Sequence, residues 1–232
     1  MALMGAQGLQ GFANVHDGAS AAIALGSFGA AYFMADLATG LYHWGVDNYG
    51  SAETPVVGRQ IEAFTSHHKH PWTIVEREFC NNVHLVFKPM LPFAAVFAAS
   101  AHWTPDSWNI WASTFMFLCA MSQQFHAWSH MKASELPAPV LWAQETGLLV
   151  SRREHGQHHR APFEGHYCIV SGFWNKYLDK GGAPDGFFRN LEKAVYDRTG
   201  VAPRCWDEPD FDTPDYDYRP GQAAPAQDAA MQ

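Results

Sequence analysis

Histidine is the residue type in this chain whose number and spacing could do chemistry, with 13 residues in 232 against 15 Lys and Arg together. Most lie in short clusters. Ser66-His67-His68-Lys69-His70 forms one, with His43 upstream of it; the second runs His126-Ala127-Trp128-Ser129-His130, and the third His155-Gly156-Gln157-His158-His159. Residues four apart share a helix face, so His126 with His130, and His155 with His159, can each address one metal ion. Adjacent histidines such as His67 and His68 diverge by about 100° on a 3.6-residue helix, which suits a site with two metals better than one. Neutral imidazole binds iron, copper, zinc and nickel, whereas a shell poor in carboxylate and free of thiolate disfavours calcium, magnesium and iron–sulfur clusters. Ligand softness leaves iron and zinc both open. A single histidine on an apolar face is ordinarily a hydrogen-bonded core residue, and His16, His102 and His166 are read that way. The inference to a metal site rests on the four His-bearing segments as a set.

Those segments need elements to position them. Gly18 to Leu37 has the roughly 20 residues that cross a hydrocarbon core, is rich in small residues that favour close helix packing, and carries one charge, Asp36. A second apolar stretch, Pro89 to Trp103, and a third, Ser107 to Phe125, are separated by Thr104, Pro105 and Asp106 and read as a helical hairpin. The first Lys or Arg is Arg59, and none occurs between Pro89 and Phe125, so three crossings would put every basic residue on one, cytoplasm-like side. His43 closes the first stretch and His126 follows the third, which places the metals just outside the hydrocarbon, within reach of an acyl chain. Leu136 to Val150, with Glu145 and two early prolines, is short for a crossing and reads as an interfacial or re-entrant helix. The expected fold is therefore all-α: an integral membrane helical bundle with three to four membrane-embedded helices and a His-rich metal-binding cap on one side. A soluble helical core is the alternative, kept open by a mean hydropathy of -0.22.

Composition narrows the function classes. A net charge of -8 with 15 basic residues excludes nucleic acid as a partner. Cys80, Cys119, Cys168 and Cys205 form no CxxC pair, which argues against a zinc knuckle or a disulfide framework and fits a reducing compartment. The expected organisation is a flexible N-terminal segment over residues 1–17, a membrane domain over 18–205, and an acidic disordered tail over 206–232. No Arg- and Ser-rich transit segment precedes Gly18, so a mature form or another route of targeting is expected.

Several longer stretches carry a family resemblance: Asp36 through Gly50 with His43 and Asp47, Thr54 through Phe64, His67-His68-Lys69-His70-Pro71-Trp72-Thr73-Ile74, His155 through Pro162, and Tyr167 through Asn175. Together they resemble the Kua family of membrane desaturases over roughly residues 30 to 180. One branch of that family makes the plasmalogen vinyl ether from plasmanylethanolamine. The other, in plant plastids, puts a trans-3 double bond into palmitate of phosphatidylglycerol. Asn48 through Phe64, the Asn81-Asn82 pair and Ile169-Val170-Ser171-Gly172 look more like the plant branch. The resemblance implies eight metal ligands, His43, His67, His68, His126, His130, His155, His158 and His159. His70 stands where the plant form has an aromatic residue and is not carried over. His84 matches the plant form alone and joins Asp36, Asp47 and Asn175 as a candidate for supporting the ligands. A carboxylate holding the other nitrogen of a ligand imidazole is the usual arrangement, so Asp36 and Asp47 flanking His43 read either that way or as a cap or buried hydrogen-bond partner. Asn175 is a candidate to reach the second metal through a water.

The activity the resemblance implies is oxygen-dependent desaturation of a membrane glycerolipid by two iron ions. Dioxygen is the co-substrate, and electrons come from an external donor of ferredoxin or cytochrome b5 type. Residence in a plastid membrane follows from the plant branch and endoplasmic reticulum from the other. The lipid head group would bind beside the irons, with Arg59, Lys69, Arg152 and Arg153 as candidate contacts. Trp44, Trp72 and Trp128 sit beside expected ligands and read as water-excluding or as interfacial anchors. Two further readings stand beside desaturation. One is diiron hydroxylation; the other is a non-catalytic membrane metal-binding protein, which predicts polar residues in the spans where almost none occur apart from Asp36.

Overall fold

The computed structural model describes residues 2–179 and 186–207, and within them every regular element is helical. The expected acidic tail lies outside the described residues except for Trp206 and Asp207. The helices are α1 (Ala2–Ala13), α2 (Gly18–Asn48), α3 (Gly58–Lys69), α4 (Phe79–Ser100), α5 (Asp106–His130), α6 (Ala138–Glu145), α7 (Arg152–His158), α8 (Asn175–Leu178) and α9 (Phe187–Thr199), with short 3₁₀ turns between several of them.

Helix α2 begins at Gly18, the first residue of the expected stretch, and Asp17 caps it: its Oδ1 accepts from Ser20 N at 2.7 Å, and Ser20 Oγ accepts from the Asp17 N–H in return. With 31 residues the helix runs about 46 Å, long enough to cross a bilayer and continue beyond it. Its two ends differ. Ile23, Leu25 and Phe28 are exposed, whereas His43, Asp47 and Asn48 near the C-terminus are buried. Helix α4 is likewise apolar on its outside, with Phe93 and Val96 about two-thirds exposed at 66% and 67%. Of the described helices, α2 and α4 with its following turn to Trp103 are long and apolar enough to cross a membrane.

The expected third stretch, Ser107 to Phe125, lies within α5 but has a different environment. Helices α1, α2 and α4 pack around α5, and it buries polar side chains, Asn109, Ser113, Ser122 and Gln124, along with Ile110, Met116 and Phe125. The second stretch begins ten residues before its expected start: α4 opens at Phe79 and runs through Pro89 and Pro92. Proline removes one hydrogen bond and crowds the preceding turn, and long apolar helices tolerate that cost. The segment expected to be flexible, residues 1–17, instead carries α1, which lies along α5. Gln7 Nε2 donates to Asn109 Oδ1 and to Phe97 O, each at 3.0 Å, and at Gly11 a side chain would overlap Ile110. A buried amide pair joins the two helices, a signal that hydrophobic patterning does not register.

After α5 the chain folds back over the C-terminal half of α2. The irregular stretch between α7 and α8 is fixed there by Asp36. Its Oδ1 accepts from the backbone N–H groups of Val170, Ser171 and Gly172 at 3.1, 2.7 and 3.0 Å, and its Oδ2 from Trp174 N at 3.3 Å. One turn on, Gly40 leaves room for Cys168, whose Sγ any Cβ there would overlap. The approach is close enough for the carbonyls of this stretch to reach the histidines.

Candidate metal centre

Four helices end at one place. His43 and Asp47 lie in the last turns of α2, His67 and His68 end α3, His126 and His130 end α5, and His155 and His158 end α7. Helix C-termini carry partial negative charge and unpaired carbonyls, so their convergence favours cations. The side chains gather into two adjoining sets. His43, Asp47, His68 and His158 form one; His67, His126, His130, His155 and His159 form the other; within each, the candidate ligand atoms all lie within 4.8 Å of one another. The sets touch, with the His43 ring centroid 5.8 Å from that of His126 and the His158 centroid 5.4 Å from that of His159. Each adjacent histidine pair is divided between them, His67 and His159 on one side and His68 and His158 on the other, as the divergence of neighbouring helical side chains requires.

The geometry within the sets fits bound metal. His68 Nε2 lies 3.0 Å from His158 Nε2, His67 Nε2 3.0 Å from His130 Nε2, and His155 Nε2 3.0 Å from His159 Nε2. With metal–nitrogen bonds of about 2.1 Å, ligands at right angles on one ion sit about 3.0 Å apart. His43 Nδ1 donates to Tyr167 O and His158 Nδ1 to Gly165 O, both at 2.9 Å, which leaves each Nε2 of the neutral ring as a lone pair. Those lone pairs face Asp47 Oδ2, at 3.2 Å from His43 Nε2, 3.3 Å from His158 Nε2 and 3.5 Å from His68 Nε2. Acceptors facing a carboxylate in a buried site need a cation or protons among them. Both Asp47 oxygens, His43 Nε2, both His126 nitrogens and His155 Nδ1 are buried without a hydrogen bond. Burial, reinforced by the neighbouring imidazoles, pushes the pKa values of His67, His155, His158 and His159 down, and that of His68 down to about 3 despite the opposing pull of Asp47. Neutral imidazole is the ligating form, so these rings are ready to bind metal at physiological pH.

The four supporting candidates separate. Asp47 enters a ligand set itself. Asp36 takes the hydrogen-bond reading: it clamps the stretch that supplies the Tyr167 carbonyl and meets no ligand imidazole among the contacts described. Asn175 is also engaged by protein, its Oδ1 accepting from Cys168 N at 2.9 Å and its Nδ2 donating to Glu154 Oε1 at 3.1 Å, with neither atom directed to a metal set. His84 is exposed, belongs to neither set, and lines a cleft described below. The three histidines read as hydrogen-bonded core residues lie outside the core: His16 and His102 are exposed and His166 is half-buried, with His166 paired to Glu154 at 2.9 Å and His16 to Asn14 O at 2.7 Å. Trp44 donates to Glu192 Oε1 and stacks on Phe188, Trp128 packs into the core beside Phe125, and Trp72 is mostly exposed. Sequence reasoning missed Tyr167, Glu154 and Glu192. Tyr167 acts through its backbone oxygen, which no residue-type pattern marks, and its buried hydroxyl accepts from Asn48 Nδ2 at 3.0 Å.

A cleft of about 270 Å³ reaches the five-histidine set, where His67 and His126 form part of its wall. Tyr42, Phe64, Leu85 and Val86 supply apolar lining.

The family described as "Lipid desaturase domain" matches residues 32–206. Over 183 residues the chain is 48% identical to "Fatty acid desaturase 4, chloroplastic" of Arabidopsis thaliana, an alignment covering 79% of this chain and 55% of that protein. It is 32% identical over 186 residues to "Plasmanylethanolamine desaturase 1" of Mus musculus, covering 77% and 67%. The chain thus spans between 55% and 63% of the length of three chloroplastic relatives it matches. No solved structure matches it. Since the family match takes in α2 from Tyr32 onward and every element that carries a histidine of the two sets, the chain belongs to the lipid desaturase family.

Proposed function

We propose that the protein is an oxygen-dependent diiron acyl-lipid desaturase that introduces a trans-3 double bond into palmitate of phosphatidylglycerol in a plastid membrane. The observation that carries this reading is the pair of adjoining ligand sets, one of them opening on an apolar cleft at the end of membrane-length helices. Identity to the chloroplastic relatives exceeds that to the plasmanylethanolamine relatives, 48% against 32%, and favours the acyl-lipid over the vinyl-ether product.

Iron ions held by the eight histidines and Asp47 would supply the oxidation that removes two hydrogens from adjacent acyl carbons, with dioxygen as co-substrate and electrons from a ferredoxin- or cytochrome b5-type donor. The chain's own residues do the rest. Tyr167 O and Gly165 O orient His43 and His158, and Asp36 holds the stretch to which those carbonyls belong. Saturated C–H bonds offer no group for acid–base recognition, so the cleft selects the reacting carbon by depth, and Phe64, Leu85 and Val86 exclude water along it. The membrane arrangement we infer has α2, α4 and α5 crossing and α6 lying in the interface. It accounts for the exposed apolar surface of α2 and α4 and gathers Arg59, Lys69, Arg152 and Arg153 on the metal side.

The test is expression in a host that lacks the product, with mass analysis of phosphatidylglycerol acyl chains and of alkyl lipids. A trans-3 palmitate in phosphatidylglycerol is expected. A vinyl ether, a hydroxylated chain, or metal binding with no lipid product would overturn it. His126→Ala or His159→Ala is expected to abolish product and lower bound iron, and His16→Ala to do neither.

A further inference from the structure

The cleft has a feature that metal binding does not use. Arg59, Ala63 and His67 recur every four residues along α3 and all line it, so one helix face leads from a guanidinium at the surface to a buried metal-set imidazole about 12 Å further along the axis. Arg77, in the turn before α4, lines the same cleft, as does His84. Among the described residues, no acidic one lines it. Arg59 is exposed and has no hydrogen-bond or ion-pair partner among the described residues, while Arg77 is already engaged by a neighbour. The cleft wall therefore runs along α3 from a guanidinium at one end to imidazole at the other, with Ala63 and Phe64 between them.

Guanidinium is the side chain best matched to phosphate oxygens, which it can bind in pairs. Amide groups of Gln60 and Asn81 in the same lining can hydrogen-bond hydroxyls. An ammonium head group would find two like charges there and no carboxylate to accept it. We propose that Arg59 and Arg77 form a subsite for the phosphodiester of an anionic, hydroxyl-bearing glycerolipid, and that its closeness to the five-histidine set confines reaction to acyl carbons near the ester. The proposal rests on the desaturase reading above and adds the residues that choose the lipid. A phosphate held at Arg59 leaves the glycerol and ester atoms to span the two helical turns to His67, so the first acyl carbons, and not the middle of the chain, arrive at His67 and His126.

The experiment uses the full chain, metal-loaded in detergent, and measures equilibrium binding of short-chain phosphatidylglycerol, of the matching phosphatidylethanolamine and of inorganic phosphate. Wild type is expected to bind the phosphatidylglycerol at least tenfold tighter than the phosphatidylethanolamine. Arg59→Gln and Arg77→Gln are each expected to weaken phosphatidylglycerol binding about tenfold, the scale of one charge-assisted hydrogen bond, with Arg59→Lys recovering part of the loss. Bound iron should stay at the wild-type level. Should Arg77→Gln lose metal, Arg59→Gln, an exposed change in the first turn of α3, carries the test alone. Equal weakening for both lipids, or none, with iron retained would overturn the subsite. Binding of inorganic phosphate as tight as that of the lipid would assign the two arginines to a free anion instead. Because binding is read without turnover, a wild type that binds selectively yet makes no double bond would refute the desaturase reading and leave the subsite standing.

Discussion

Asp36 and Asp47 stand eleven residues apart on α2, about three turns along one helix face that also carries Gly40 and His43. Both are buried, at 0% and 5% exposure, and from the sequence they are interchangeable: two carboxylates flanking a histidine near the end of an apolar helix. Their surroundings are opposite. Four backbone N–H groups point at Asp36, so its charge is solvated by the protein itself. Asp47 receives no hydrogen bond and faces three imidazole nitrogens within 3.5 Å. A buried carboxylate costs several kcal/mol unless its surroundings compensate, so the first arrangement is complete and the second needs a cation or protons among its members. One carboxylate holds the stretch beside the histidines, and the other stands among them.

The largest effect expected from that contrast is at Asp47. Asp47→Asn keeps the shape, removes the charge and gives the position an N–H that can donate to a neighbouring Nε2. Metal affinity of the four-ligand set is expected to fall about 100-fold or more, with loss of product. The metal-free protein is expected to unfold at the same temperature as wild type or higher, since a buried carboxylate without a hydrogen bond is gone. Metal titration and thermal unfolding with and without metal check both halves. A metal-free Asp47→Asn that is clearly less stable than wild type would show that the carboxylate is structural and erase the distinction from Asp36.

Asp36→Asn should give the reverse pattern. The amide oxygen can still accept from the 170–172 backbone, but the charge assistance and the acceptor for Trp174 N are lost, and stability is expected to fall by about 2 kcal/mol with or without metal. Metal stoichiometry below the unfolding transition is expected to be unchanged. A selective loss of metal from the four-ligand set, with stability intact, would place Asp36 in the site.

The same contrast marks what the sequence could tell. The grouping of His126 with His130 and of His155 with His159 was legible because ligand spacing on a helix is a property of the local chain. So was the division of each adjacent pair between two sets of side chains, which follows from the angle between neighbouring side chains. The start of α2 at Asp17-Gly18 and its apolar length were equally local. What could not be read depends on partners far along the chain. The four N–H groups that distinguish Asp36 from Asp47 come from a stretch more than 130 residues away. The burial of α5 depends in part on α1, which packs closely against it at Gly8 and Gly11 and is joined to it by the buried amide pair of Gln7 and Asn109. The orientation of His43 comes from a carbonyl, and every residue type has one.

That last dependence predicts the smallest effect. The Tyr167 hydroxyl accepts from Asn48 Nδ2 and donates to Phe163 O at 2.9 Å, and Phe163 in turn stacks on the His68 ring with centroids 4.2 Å apart. Tyr167→Phe deletes both hydrogen bonds in a fully buried place, although Asn48 Nδ2 keeps its bond to Trp44 O at 3.0 Å. A cost of about 1 to 2 kcal/mol in stability is expected. The carbonyl that fixes His43 remains, so both metal sets should fill as in wild type. Denaturant unfolding together with metal analysis separates the two contributions of this residue. Lost stability with full metal assigns the ligand support to the backbone oxygen. Lost metal would show that the hydroxyl, acting through Phe163 and the face of His68, holds the four-ligand set in register.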